Sequence, residues 1–117
     1  MSGKTSYLAG LSAEESVARH YEGSGHRVIG RRWRGQGGEL DLIVEKADDT
    51  IFIEVKKSAT HGQAAAALGG RQIARLFAAA GEFMGSLPNG MLSSVRFDVA
   101  LVDGSGQIDI LENALAA

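Results

Sequence analysis

The sequence predicts an α/β domain, a mixed central sheet flanked by helices with elements in the order α-β-β-β-α-β-β. Three observations carry the prediction. A chain of 117 residues suits one core made of a sheet layer and helix layers and is too short for two. Apolar residues alternate with period two in several segments and recur with helical period in two others. Clusters of Gly, Asp, Asn and Ser punctuate the boundaries between them.

The first helix is expected over residues 12–23, because Ala13, Val17 and Tyr21 recur at helical spacing behind Ser12, and Gly23 and Gly25 end the pattern. His26–Arg34 reads as β-like, with Val28, Ile29 and Trp33 among four arginines, until Gly35, Gly37 and Gly38 interrupt it. Glu39–Glu45 alternates as a strand with Leu40, Leu42 and Val44 on one face and Asp41 on the other. Ala47–Thr50 is a turn, and Ile51–Lys56 a second strand with Ile51, Ile53 and Val55 towards the core and Glu54 and Lys56 opposite. From Gln63 to Met84 apolar residues fall at helical spacing, broken by Gly69-Gly70, so one long helix or a short and a main one are expected. Val95–Leu101 alternates as a further strand, Asp103–Gly106 is turn chemistry, and Gln107–Leu111 returns as a short strand.

With 44% hydrophobic and 22% charged residues the composition is that of a folded globular protein. There is no Cys, which excludes a thiol nucleophile, a Cys-ligated zinc and a disulfide scaffold. No apolar run approaches the roughly 20 residues of a membrane helix, and Met1–Thr5 carries no apolar signal segment, so a cytoplasmic location without a membrane partner is expected. The net charge of −2 hides an asymmetry: Arg19–Arg75 has a balance of +3 and Leu76–Ala117 one of −4. A local basic face is what a phosphate backbone responds to.

The chemistry is carried by Glu39-Leu40-Asp41 on one strand and Glu54-Val55-Lys56 on the next. A tight turn between adjacent antiparallel strands brings Asp41 and Glu54, 13 residues apart, onto one sheet face. Two carboxylates held together repel and call for a cation. Mg²⁺ or Mn²⁺ suits them, since a hard cation keeps several waters beside one or two carboxylates and leaves room for a phosphate oxygen. Lys56 adds a positive charge on the same face. The competing reading is a solvated strand face, the usual meaning of polar residues alternating on a half-exposed strand.

Gly38-Glu-Leu-Asp-Leu-Ile43 with Phe52-Ile-Glu-Val-Lys56 resembles the YraN family of small bacterial proteins, predicted endonucleases related to Holliday junction resolvases. The likeness extends to Glu15-x-x-Ala18-x-x-Tyr21, Arg32-Trp-Arg34, Arg71-Gln72 with Arg75-Leu76, Phe97-Asp98-Val99 and Asn113-Ala114. It implies a restriction-endonuclease-like fold with a PD-(D/E)XK metal site, in which Asp41 and Glu54 bind the metal and Lys56 is the catalytic lysine. Glu15 then matches the helix-borne acid of related sites. Ser58 stands where the family commonly has Arg, and Arg71 where Lys is usual.

The leading expectation is a Mg²⁺- or Mn²⁺-dependent endonuclease acting on nucleic acid, DNA before RNA and branched DNA among the forms, with Asp41, Glu54, Lys56 and the Val55 carbonyl at its centre. The alternative is a nucleic-acid-binding or assembly module of the same fold without turnover. Glu15 keeps two readings, metal ligand or partner of Ser12 in a capping box. Arg31, Arg32 and Arg34 are the expected phosphate contacts, and Trp33 is read as core rather than as a base-stacking platform. His20, His26 and His61 lack metal-ligand spacing. A homodimer is expected by analogy with resolvases, which make two symmetric cuts.

Overall fold

The computed structural model describes residues 3–57 and 69–115, with side chains in the first helix from Ser12 onward. Helix α1 (Gly3–Gly23) leads into strands β1 (Arg27–Arg34), β2 (Glu39–Lys46) and β3 (Asp49–Lys57). Helix α2 (Gly70–Met84), a 3-10 turn (Gly90–Leu92) and strands β4 (Ser94–Val102) and β5 (Ile108–Leu111) follow. The 3-10 turn is absent from the expected order. The predicted helical stretch from Gln63 to Leu68, with Ser58 and His61, lies outside the described residues.

The five strands form one mixed sheet in the order β1-β2-β3-β4-β5. Neighbours are antiparallel except β3 and β4, which run parallel from Asp49↔Ser94 to Lys57↔Val102. A parallel pair cannot be joined by a tight hairpin, and the connection between β3 and β4 contains α2. Helices cover both sheet faces. Ala13, Val17, Ala18 and Tyr21 of α1 pack on Leu42, Val44, Ile51, Ile53, Ala100 and Val102. On the other face Leu76, Ala79, Ala80, Phe83 and Met84 of α2 pack on Leu40, Ile43 and Phe52. Each such fully buried Leu, Ile, Val or Phe contributes about 1.5–3 kcal/mol.

This two-sided burial corrects the expectation of a half-exposed strand: Phe52 and Ile43 are as buried as their neighbours on the other face. It also separates Leu40 from Leu42 and Val44, since Leu40 faces α2 while the other two face α1. The neighbouring strand β1 is irregular here. Arg32, between the pairs Arg31↔Leu42 and Trp33↔Leu40, has a left-handed φ of 46°.

The start of α1 is a second correction. The helix runs from Gly3, so Ser12 is an interior residue and cannot cap it. Gly10 precedes Ser12, but one glycine costs only about 1 kcal/mol and an established helix propagates through it. The turn between β2 and β3 is shorter than predicted, with only Ala47 and Asp48 outside the strands and Ala47 at φ 55°.

The glycine-rich link between β1 and β2 lies directly on α2. A Cβ at Gly38 would stand 2.7 Å from the Arg75 carbonyl oxygen, and one at Gly37 would stand 2.7 Å from Ala78 Cβ. Glu82 fixes the same link from the helix side, its carboxylate accepting from the Gln36 and Gly37 amides at 2.8 and 2.9 Å. These two bonds hold the Glu82 carboxyl below the usual range. Gly38 thereby sets the distance from α2 to the beginning of β2, where Asp41 sits. Gly38→Ala should destabilise the protein by about 1–3 kcal/mol, the usual cost of overpacking. Gly23→Ala, with open space around it, should not. Urea unfolding midpoints of the two variants check this.

Candidate active site

The β2–β3 ladder runs from Lys46↔Asp49 to Leu42↔Ile53 and ends there, while β3 stays paired with β4 as far as Lys57. Past that point the Val55 amide has no β2 carbonyl in register. It donates instead to Asp41 Oδ2 at 2.9 Å, so a side chain takes over a ladder hydrogen bond. This contact draws the Asp41 carboxylate level with Glu54, close enough for the charge of each to act on the other.

Glu54 is buried, with a side chain only 8% exposed. Gln72 Nε2 of α2 donates to its Oε1 at 3.0 Å, and Lys56 Nζ lies 3.6 Å from the same oxygen. Burial first, and the neighbouring Asp41 second, push the Glu54 carboxyl from its ordinary 4.5 up to about 8. Burial raises Asp41 as well, against the lowering influence of the Val55 amide, Glu54 and Lys56. Like charges this close do not both ionise readily. A solvated strand face is therefore the wrong description of Glu54 and Lys56.

Asp41 is reached from two sides. A cleft of about 310 Å³ holds it with Glu54, Gln72, Arg75 and Gly38. On the α1 side a cleft of about 360 Å³ holds it with Ser12, Glu14, Glu15, Arg31 and Arg32. Among the described residues a larger cavity, about 500 Å³, surrounds the β2–β3 hairpin at the other end of the sheet and contains neither Asp41 nor Glu54.

Glu15 shares the second cleft with Asp41, but its carboxylate is engaged by Arg31 at 2.7 Å and Arg19 at 3.9 Å. Glu14 is the acid that feels Asp41: burial and then the Asp41 charge raise its pKa, with Arg32 opposing. The sequence contained the signal for Glu14. It stands in helical phase with Val17, Ala18 and Tyr21, the stripe that packs on the sheet.

The three arginines expected to contact phosphate, all on β1, are paired. Arg31 binds Glu15 at 2.7 Å, Arg32 reaches Glu14 at 3.3 Å, and Arg34 binds Glu39 at 2.9 Å. Trp33 between them packs edge-on against Phe83, ring centroids 5.5 Å apart, in its expected core role. The Asp98 carboxylate is also fully buried, but accepts from Tyr21 Oη at 2.7 Å, from Arg96 Nε and Nη2 at 2.8 and 2.9 Å, and from the Asn113 amide at 2.9 Å.

Asp41 and Glu54 fit a divalent cation, because they converge, lack enough donors to stabilise two charges, and open onto a cleft. Among the described residues no three His, Asp or Glu side chains converge as a closed cage, so water and substrate oxygens would complete the shell.

The sequence profile of the family described as "Uncharacterised protein family UPF0102" matches residues 13–102. This chain belongs to that family. A UPF0102 protein of Cereibacter sphaeroides is 56% identical over 117 residues, all of both chains. One from Ruegeria pomeroyi is 52% identical over 112 residues, covering 96% of this chain and 91% of that protein. One from Roseobacter denitrificans is 49% identical over 114 residues, covering 97% and 88%. The span matched to UPF0102 includes Glu14, Asp41, Glu54, Lys56 and Gln72, and ends with β4.

The raised Glu54 pKa has a consequence for stability. Between its ordinary 4.5 and about 8 the folded state of this UPF0102 chain holds a proton that the unfolded state has lost. Metal-free protein should therefore lose stability as pH rises through this window, at up to about 1.4 kcal/mol per pH unit for one proton. Glu54→Gln should flatten that slope. Chemical denaturation in chelator across the range measures it.

Proposed function

We propose that this chain is a metal-dependent nuclease of the YraN type with a restriction-endonuclease-like fold, hydrolysing phosphodiester bonds in nucleic acid, DNA before RNA. The observation that carries the reading is the convergence of half-buried Asp41 on buried Glu54 with Lys56 beside them. A structural acid at such depth would be surrounded by donors as Asp98 is. Glu54 has another carboxyl against it, which is a cost without benefit unless a cation or a proton is handled there. The mixed sheet covered by helices on both faces agrees with the fold that the resemblance implies.

In this mechanism Asp41 and Glu54 would hold Mg²⁺ or Mn²⁺, with the Val55 carbonyl as a further ligand, and the ion when bound would supply Lewis acidity at the phosphodiester. Gln72 keeps the Glu54 carboxylate oriented from α2. The Lys56 ammonium orients the attacking water and stabilises charge on the phosphoryl oxygens. Glu14, on the far side of Asp41, shares a cleft with it and is paired with Arg32. Protein copies would pair to cut two strands of a branched substrate.

Two measurements test the proposal. Wild type with Mn²⁺ or Mg²⁺ should cleave within a panel of linear, single-stranded and branched DNA and RNA, and Asp41→Asn and Lys56→Ala should not. Undiminished cleavage by either variant would sink the assignment. Independently of substrate, metal at about 100 times its dissociation constant should stabilise wild type by roughly 2.7 kcal/mol. Asp41→Asn should lose most of that gain while its metal-free melting temperature at neutral pH equals or exceeds that of wild type, because the carboxylate repulsion is removed and the amide oxygen still accepts from Val55. An equal metal response in both proteins would leave the carboxylates without a metal role.

A further inference from the structure

The β1 arginines, the expected phosphate contacts, have their charge already met by Glu14, Glu15 and Glu39. The cations of α2 differ. Arg71 and Arg75 are both exposed, and among the described residues neither forms an ion pair or a side-chain hydrogen bond. They stand four residues apart on one helix face, which places their Cβ atoms about 5–6 Å from each other. Gln72, whose amide holds Glu54, lies next to both, and Arg75 lines the same cleft as Asp41 and Glu54.

The helix bearing them is free of competing acids near the cleft. From Gly70 to Gly81 it carries no Asp or Glu, and its first acid, Glu82, is turned to the Gln36 and Gly37 amides. Backbone N–H groups at the start of the helix add partial positive charge on the same side. A phosphodiester approaching Asp41 and Glu54 meets repulsion, so its neighbouring phosphates need cations within reach of that cleft. Binding through β1 would require breaking ion pairs; binding through α2 would not.

We infer that the substrate strand crosses the N-terminal half of α2, with Arg71 and Arg75 contacting the backbone phosphates that flank the one presented to the carboxylate pair. This rests on the nuclease reading of that pair. Contacts of this kind are indifferent to base sequence and serve recognition by backbone shape.

The test measures binding in the Asp41→Asn background, so that nothing is cut and no metal is needed. Fluorescein-labelled single-stranded DNA and a labelled four-way junction are titrated with the parent, with R71Q/R75Q and with R31Q/R34Q, at several salt concentrations. R71Q/R75Q should weaken binding of both probes and make the plot of log affinity against log salt shallower by roughly 1.4 for the single strand and 1.8 for duplex arms, two contacts at about 0.7 and 0.9 each. R31Q/R34Q should change the slope less. An unchanged slope in R71Q/R75Q, a larger change in R31Q/R34Q, or a parent that binds neither probe overturns the inference. Metal-dependent cleavage by the protein with Asp41 intact separates the two ideas. Cleavage unaffected by R71Q/R75Q would leave the nuclease reading standing without this strand path. Binding that depends on Arg71 and Arg75 without any cleavage would leave the strand path and sink the nuclease reading.

Discussion

The hydrogen bond from the Val55 amide to the Asp41 carboxylate is the contact on which the site depends. It forms because β2 and β3 stop pairing at Leu42↔Ile53 while β3 continues beside β4. A buried amide left without a partner costs about 1–3 kcal/mol, so the nearest acceptor is recruited. That acceptor is charged, and its recruitment puts it against Glu54. One local requirement of the backbone thus creates a pair of acids that neither strand would assemble by itself.

The rest of the fold makes this arrangement tolerable. β3 lies in the middle of the sheet, buried by α1 on one face and α2 on the other, and cannot shift without opening two cores. The glycine link held by Glu82 keeps the start of β2 against α2, and Gln72 reaches across from that helix to Glu54. Asp98 shows what a buried acid looks like when its task is structural. Donors from α1, β4 and the segment after β5 converge on it, and it ties the C-terminal end of the chain to the core. Glu54 sits in the same sheet at comparable depth, with fewer donors and a like-charged neighbour. That difference in partnering is the physical ground for reading one as scaffold and the other as reactive.

Charge is organised around the pair in two zones. On the α1 side, arginines and glutamates of α1, β1 and the start of β2 neutralise one another in half-exposed pairs, each worth at most about 1 kcal/mol. On the α2 side, Arg71 and Arg75 carry no ion pair among the described residues, and Arg75 lines the cleft together with Glu39, Asp41 and Glu54. Asp41 lies at the boundary, accessible from both. The overall charge of −2 conceals this division entirely.

By itself the sequence determined the α/β class, the strands that carry Asp41, Glu54 and Lys56, the hairpin joining them and the core role of Trp33. These follow from local periodicity and turn chemistry, which act over a few residues. The face to which Leu40 points, the burial of Glu54 and the interior position of Ser12 were decided by tertiary structure. Alternation reports which residues share a side of a strand but not whether a helix covers that side, and a left-handed residue such as Arg32 breaks the alternation without any mark in the pattern. That Glu14 shares the Asp41 cleft with Glu15, and that the β1 arginines are paired while Arg71 and Arg75 are not among the described residues, likewise required packing. Which acid meets which cation depends on how α1 and α2 are laid across the sheet, and that is set by contacts between segments far apart in the chain.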